Sequence, residues 1–143
     1  MLDYKTNLYY KQMLEYKVNI PTEIFYQEDS LKAKYVSCGS NYTMLIDMND
    51  DVWAFRSNQN GELGLGDYQS RNIPTKLPNI KAQFVSCGGN HTPIIDLAND
   101  IWAFGFGPEG QLGLPNVYQS RNIPTQIPGI KGNFLLVEIV IQR

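Results

Sequence analysis

Tyr35-Val36-Ser37-Cys38-Gly39-Ser40-Asn41 returns 49 residues later as Phe84-Val85-Ser86-Cys87-Gly88-Gly89-Asn90. At the same offset Asp51-Val52-Trp53-Ala54-Phe55 returns as Asp100-Ile101-Trp102-Ala103-Phe104, and Gly61-Glu62-Leu63-Gly64-Leu65 as Gly110-Gln111-Leu112-Gly113-Leu114. After one added residue, Val117, the run Tyr68 to Thr75 recurs unchanged as Tyr118 to Thr125. Aligned in this way, 28 of 50 positions are identical. A chain that repeats itself at this period is built from one supersecondary unit.

The repeat reaches upstream in weaker form, where Asn19-Ile20-Pro21-Thr22-Glu23-Ile24 matches Asn72-Ile73-Pro74-Thr75-Lys76-Leu77. Within each unit, short runs such as 43–48, 52–55 and 73–77 are bounded by Asn, Asp, Gly or Pro, as strands are. Asn49-Asp50 and Asn99 fall between two runs, where a tight hairpin turn belongs. Pro74 and Pro78 mark an edge or irregular strand, because proline cannot donate to a ladder. Pro93 is expected to interrupt the strand that contains it. No 3.6-residue apolar spacing is evident, which argues against a helical solenoid. Four short strands per unit predict an all-β protein of antiparallel four-stranded blades: a partial, open β-propeller of two to three blades.

Counted from the Trp-containing strand, residues 51–99 form a complete repeat, with partial repeats at 19–50 and 100–134. Residues 1–18 are unassigned, and 135–143 form a divergent tail. The faithful text stops after Phe134, as a shifted reading frame or a replacement strand would produce. Two repeats and a fraction cannot close a ring of about 4–8 blades. Self-assembly or a truncated remnant is therefore expected.

Among propeller repeats the chain resembles the regulator of chromosome condensation family. The resemblance rests on Val85-Ser86-Cys87-Gly88-Gly89-Asn90-His91-Thr92, then Ile101-Trp102-Ala103-Phe104-Gly105 and Gly110-Gln111-Leu112-Gly113-Leu114. The first copy repeats the pattern, but has Arg56 at the position of Gly105 and Tyr42 at that of His91. The resemblance implies that Cys38, Gly39, Trp53, Phe55, Gly61, Leu63 and Gly64 form a structural repeat motif. So do their counterparts Cys87, Gly88, Trp102, Phe104, Gly110, Leu112 and Gly113. Trp53/Phe55 and Trp102/Phe104 alternate on a strand, face one way, and are expected to fill the space between blades.

Composition narrows the function. Hydrophobic residues make up 43% of the chain and charged residues 18%, a globular balance. A net charge of −2 gives no electrostatic pull towards nucleic acid. Neither a secretory signal nor a membrane-length apolar run is visible, so a soluble, intracellular protein is expected. Cys38 and Cys87 sit one repeat apart without a CxxC, and read as structural rather than as a disulfide or metal pair. His91, the single histidine, has no assignable nucleophile or orienting carboxylate. Asp47, Asp50, Asp51, Asp96 and Asp100 cluster at hairpin positions and read as turn chemistry rather than calcium ligation. No catalytic, cofactor or metal residue is expected.

The expected role is a non-catalytic module for protein–protein binding or scaffolding, with a protein partner and possible homo-oligomerisation to complete a propeller. The alternative comes from the resemblance alone, whose founding member promotes guanine-nucleotide exchange: a regulator of a Ras-like small GTPase.

Overall fold

The computed structural model describes residues 31–132, and every structural statement here concerns them. The units expected at 1–18 and 135–143, and the weak repeat text of 19–24, lie outside the described residues. Seven strands follow one another: β1 (Ala33–Cys38), β2 (Tyr42–Asp47), β3 (Asp51–Arg56), β4 (Arg71–Val85), β5 (His91–Asp96), β6 (Asp100–Gly105) and β7 (Arg121–Lys131). Each pairs antiparallel with its neighbours in sequence order. The described part is thus an all-β meander and fits a partial propeller.

Strand β4 belongs to two ladders. Its residues up to Lys81 pair with β3, and those from Ala82 pair with β5. Before the change of ladder, the β3–β4 register shifts between Lys76 and Lys81, around Pro78, which has no N–H to donate, and Asn79, which takes a left-handed φ of 58°. Gly129, at φ 74°, repeats that kink after Pro128. The ladders therefore define two four-stranded blades, 33–81 and 82–131. The 51–99 unit begins at β3 and crosses from one blade into the other.

The hairpin turns form where Asn and Asp permit them. Asp50 and Asn99 take φ of 66° and 65°, and their amides bond to the carbonyls of Asp47 and Asp96 at 3.1 Å each. This is a three-residue loop closed by a left-handed residue. Pro93 does not interrupt β5, contrary to expectation; it lies in register with Ala103 of β6. Its carbonyl accepts from Ser86 N–H at 3.1 Å, and in an extended strand its absent N–H points to that same side. There the β4 ladder has already ended at the Val85–Ile94 pair, so the proline removes no bond to β6.

The main core lies between the blades rather than within one. Tyr42, Met44, Ile46, Val52 and Ala54 of the first blade, with Leu63 and Leu77, meet Ala82, Val85, Ile94 and Phe104 of the second. A smaller cluster gathers Ala103, Leu112 and Leu114 on the far side of the second blade. Phe104 is fully buried, while its repeat counterpart Phe55, with no preceding blade among the described residues, is half-buried. Gly64 makes room for that ring: at φ 68°, a Cβ there would lie 2.7 Å from Phe104 Cε2.

Identical residues in unequal surroundings should differ in worth. Phe104→Ala should cost about 3–5 kcal/mol in urea unfolding, and Phe55→Ala about half of that. Equal losses would contradict a core held between blades.

Candidate interaction surface

Each blade carries the same carboxylate clamp. Asp47 Oδ1 accepts from the amides of Asn49 (2.8 Å) and Asp51 (3.0 Å), and Oδ2 accepts from Trp53 Nε1 at 2.8 Å. Asp96 does the same with Ala98, Asp100 and Trp102, at 2.8, 2.9 and 2.8 Å. Burial pushes the Asp47 carboxyl up, but the three donors outweigh it and hold it below its ordinary value. Asp51 is drawn down by Lys76 and then Lys81, at 2.7 and 3.0 Å. Asp100 meets Lys131 at 2.6 Å. These carboxylates close turns and tie strands. The tryptophans therefore combine packing with a polar anchor. Trp102 lies against the main core. The signal for that anchor was in the sequence, an Asp six residues before each Trp, but turn chemistry alone does not reveal the indole bond.

A second polar node crosses between the blades. Tyr42 Oη donates to the carbonyl of His91 at 2.6 Å. Thr92 Oγ1 lies 2.9 Å from both Tyr42 Oη and the Glu62 carbonyl, and its one proton serves either. Burial raises the Tyr42 pKa far beyond the phenol range, so the hydroxyl stays protonated. Gly39 and Gly88 leave room for the rings of Tyr42 and His91: a Cβ would come within 2.0 and 2.3 Å of them. These aromatic roles follow from the repeat text only once the blade partner is known.

Cys87 N–H donates to Ser37 Oγ at 2.9 Å, and its Sγ lies 3.3 Å from the Ser37 carbonyl. Burial pushes its thiol up, against the reactive direction. Cys38 pairs with Thr43 on the opposite face of β1, and its Sγ accepts from Thr43 Oγ1 at 3.8 Å. Both cysteines are free. Among the described residues no group of three or more His, Cys, Asp or Glu is arranged to hold a metal. Nor is any helix among them long and apolar enough to cross a membrane.

Several large apolar residues stay exposed, and most of them recur with the repeat. Met48 and Leu97 cap equivalent hairpins, Tyr68 and Tyr118 occupy equivalent loops, and Ile73 and Ile123 stand on equivalent strands. The blade ends are open as well. Val36 is 54% exposed where its counterpart Val85 is 0%. His91, Ile101 and Ile127 are half-buried where Tyr42, Val52 and Leu77 are buried. Gly61, Leu63, Gly64, Gly110, Leu112 and Gly113 lie in the β3–β4 and β6–β7 loops.

Comparison with known proteins follows the same repeat. The family model described as Regulator of chromosome condensation (RCC1) repeat matches residues 49–95 and 99–141. Ultraviolet-B receptor UVR8 of Arabidopsis thaliana is 34% identical over 47 residues, covering 33% of this chain and 11% of the receptor. The structure of Prp20p of Saccharomyces cerevisiae, described with its binding to Gsp1p and histones, superposes with a TM-score of 0.65 at 19% identity. That superposition covers 76% of this chain and 27% of Prp20p. A second structure, of yeast RCC1 (Prp20) bound to Kap60, gives the same score and identity, covering 76% of this chain and 26% of that one. The chain thus spans about a quarter of those propellers and about a tenth of the receptor.

Two outcomes follow from the interblade node. Tyr42→Phe should cost about 1–2 kcal/mol, since Thr92 and the His91 carbonyl lose a buried partner. Burial also lowers the His91 pKa, so folding favours the neutral ring. Its contribution is complete above the unfolded value of about 6.5 and is lost as pH falls through the folded value. Unfolding midpoints measured between about pH 7 and 5 should decline, and His91→Gln should flatten that decline. An unchanged slope in the variant would assign the decline to other groups.

Proposed function

Because the chain belongs to the regulator of chromosome condensation (RCC1) repeat family, we propose that it serves as a non-catalytic protein-binding module. The observation that carries this reading is the recurrence of exposed large apolar residues at equivalent places in successive blades. Scattered surface apolar residues need no explanation, but a row fixed by the repeat presents a patterned surface. Tyrosine suits such a surface, with a large contact area, few rotatable bonds and a hydroxyl for the wet rim. The protein-binding reported for Prp20p supports the same direction for a fold of this kind. A shared propeller fold does not carry over a partner's identity.

The open blade faces favour a companion reading. Each half-buried residue on the second blade's outer face corresponds to one buried by a neighbour in the first. Another blade of the same type, in a further copy of this chain or elsewhere, would cover them. Sizing the purified protein tests this: a closed, monodisperse oligomer supports it, and a stable monomer with those faces wet opposes it.

For the binding surface, partners identified by cross-linking in cells should be titrated against wild type and a Tyr68→Ala/Tyr118→Ala/Ile73→Asp/Ile123→Asp variant. Binding should fall at least about tenfold, while unfolding midpoints shift little because the side chains are exposed. Undiminished binding by the variant would remove the surface from the proposal. Substoichiometric acceleration of nucleotide release from a Ras-like GTPase would replace the module with an exchange factor.

A further inference from the structure

Arg71 and Arg121 occupy the same repeat position, each opening the last strand of its blade, yet only one has a partner. Arg71 Nη2 meets Asp67 Oδ2 at 2.6 Å, and Nη1 donates to the Gln69 carbonyl at 2.5 Å. Asp67 is itself held in place. Its Oδ1 accepts from Gln69 N–H at 2.9 Å and from the buried Asn58 Nδ2 at 3.1 Å. The first copy therefore carries a complete built-in carboxylate receptor for its arginine.

The second copy lacks both side chains of that receptor, the Asp67 carboxylate and the Asn58 amide that holds it. Gly107 stands where Asn58 does, and the loop closes onto it: a Cβ there would lie 2.2 Å from the Gln119 carbonyl. Four residues before Arg121, the spacing of Asp67 from Arg71, stands Val117, packed against Ala103, Leu112 and Leu114. The preceding Asn116 is uncharged and exposed. Arg121 makes no side-chain hydrogen bond or ion pair among the described residues, and its Nε is buried without an acceptor. The Nε is out of reach from outside, but the two Nη nitrogens are neither buried nor bonded among the described residues. This end of the planar fork can meet a carboxylate at two points, as Arg71 Nη2 meets Asp67. Arg121 is half-buried as a residue and follows directly on the exposed Tyr118 and Gln119 of the β6–β7 loop, one apolar and one polar neighbour for an incoming chain.

We propose that Arg121 is an anchor for an acidic side chain of a protein partner, supplied from outside in the role that Asp67 fills for Arg71. This deepens the protein-binding reading, on which it rests, by naming the charge that the partner brings. The two fail separately. Capture of a partner through Tyr68 and Ile73 could survive the loss of this anchor, whereas the peptide measurement below needs no natural partner.

The probe is a fluorescein-labelled peptide of alternating Glu and Ser, with a Gln-for-Glu twin, titrated into the full chain. The Glu peptide should bind saturably, shift the Arg121 Nε–H resonance in ¹⁵N NMR and leave that of Arg71 in place. Arg121→Gln should weaken binding about tenfold, the worth of one charge-assisted hydrogen bond. Because Arg121→Gln removes a buried unpaired Nε and no side-chain bond among the described residues, that variant should unfold no earlier than wild type. Asn116→Asp, on an exposed residue whose left-handed φ of 56° suits aspartate, should compete in cis and also weaken the peptide. Equal binding of the Gln twin, an equal shift at Arg71, or a response to inorganic phosphate but not to the Glu peptide would each overturn the proposal.

Discussion

A blade of four strands cannot bury both of its faces, and everything else in this protein follows from that limit. An antiparallel sheet has two surfaces, and a single blade offers nothing to cover either. The fully buried side chains accordingly gather where the first blade meets the second, with Met44 and Ile46 on one side and Val85, Ile94 and Phe104 on the other. Stability in such an array is close to a sum over neighbours, each interface adding its own share. The same residue type is therefore worth more or less according to whether a neighbour stands against it.

Polar groups serve the apolar contact rather than compete with it. The Asp47 and Asp96 clamps each fix a hairpin and an indole with one carboxylate, and in the second blade the Trp102 ring so held packs against the interblade core. The Tyr42 hydroxyl, buried with its ring, finds the His91 carbonyl across the gap. Without that acceptor the ring could not be buried so deeply, because an unpaired phenol hydroxyl is expensive in a dry interior. Glu62 is likewise buried and satisfied, accepting from Ser57 Oγ and Asn60 N–H. Its counterpart Gln111 makes the equivalent turn with Glu109 N–H.

Much of this was legible because the repeat wrote it twice. Strand positions, hairpin turns and the all-β class could be read from matched text between Tyr35 and Phe134. The blade boundary could not, because β4 runs without a break through the text that separates units, and the ladder changes between Lys81 and Ala82, past the turn-like Pro78-Asn79. Pro93 misled for a related reason: proline argues against pairing only on the side its N–H would face, which a sequence does not state. The interaction surface was the least legible part. Tyr68 and Ile73 carry the same apolar signal as core residues, and only burial separates Ile73 from Leu77. Arg121 was invisible as a candidate, since its repeat text is identical to that of Arg71. The difference lies in what Gly107 and Val117 fail to provide.

Strand β4 also sets where the protein can accommodate change. The hairpins at Met48 and Leu97 are held to three residues by the Asp47 and Asp96 clamps. The β3–β4 and β6–β7 loops, by contrast, lie outside the ladders, and the second already carries the added Val117. The kink at Pro78-Asn79 lies inside a strand shared by two sheets. An insertion at that point would slip one ladder against the other and turn every following side chain to the wrong face. Changes of length are thus channelled to the two long loops, away from the strand that both blades share.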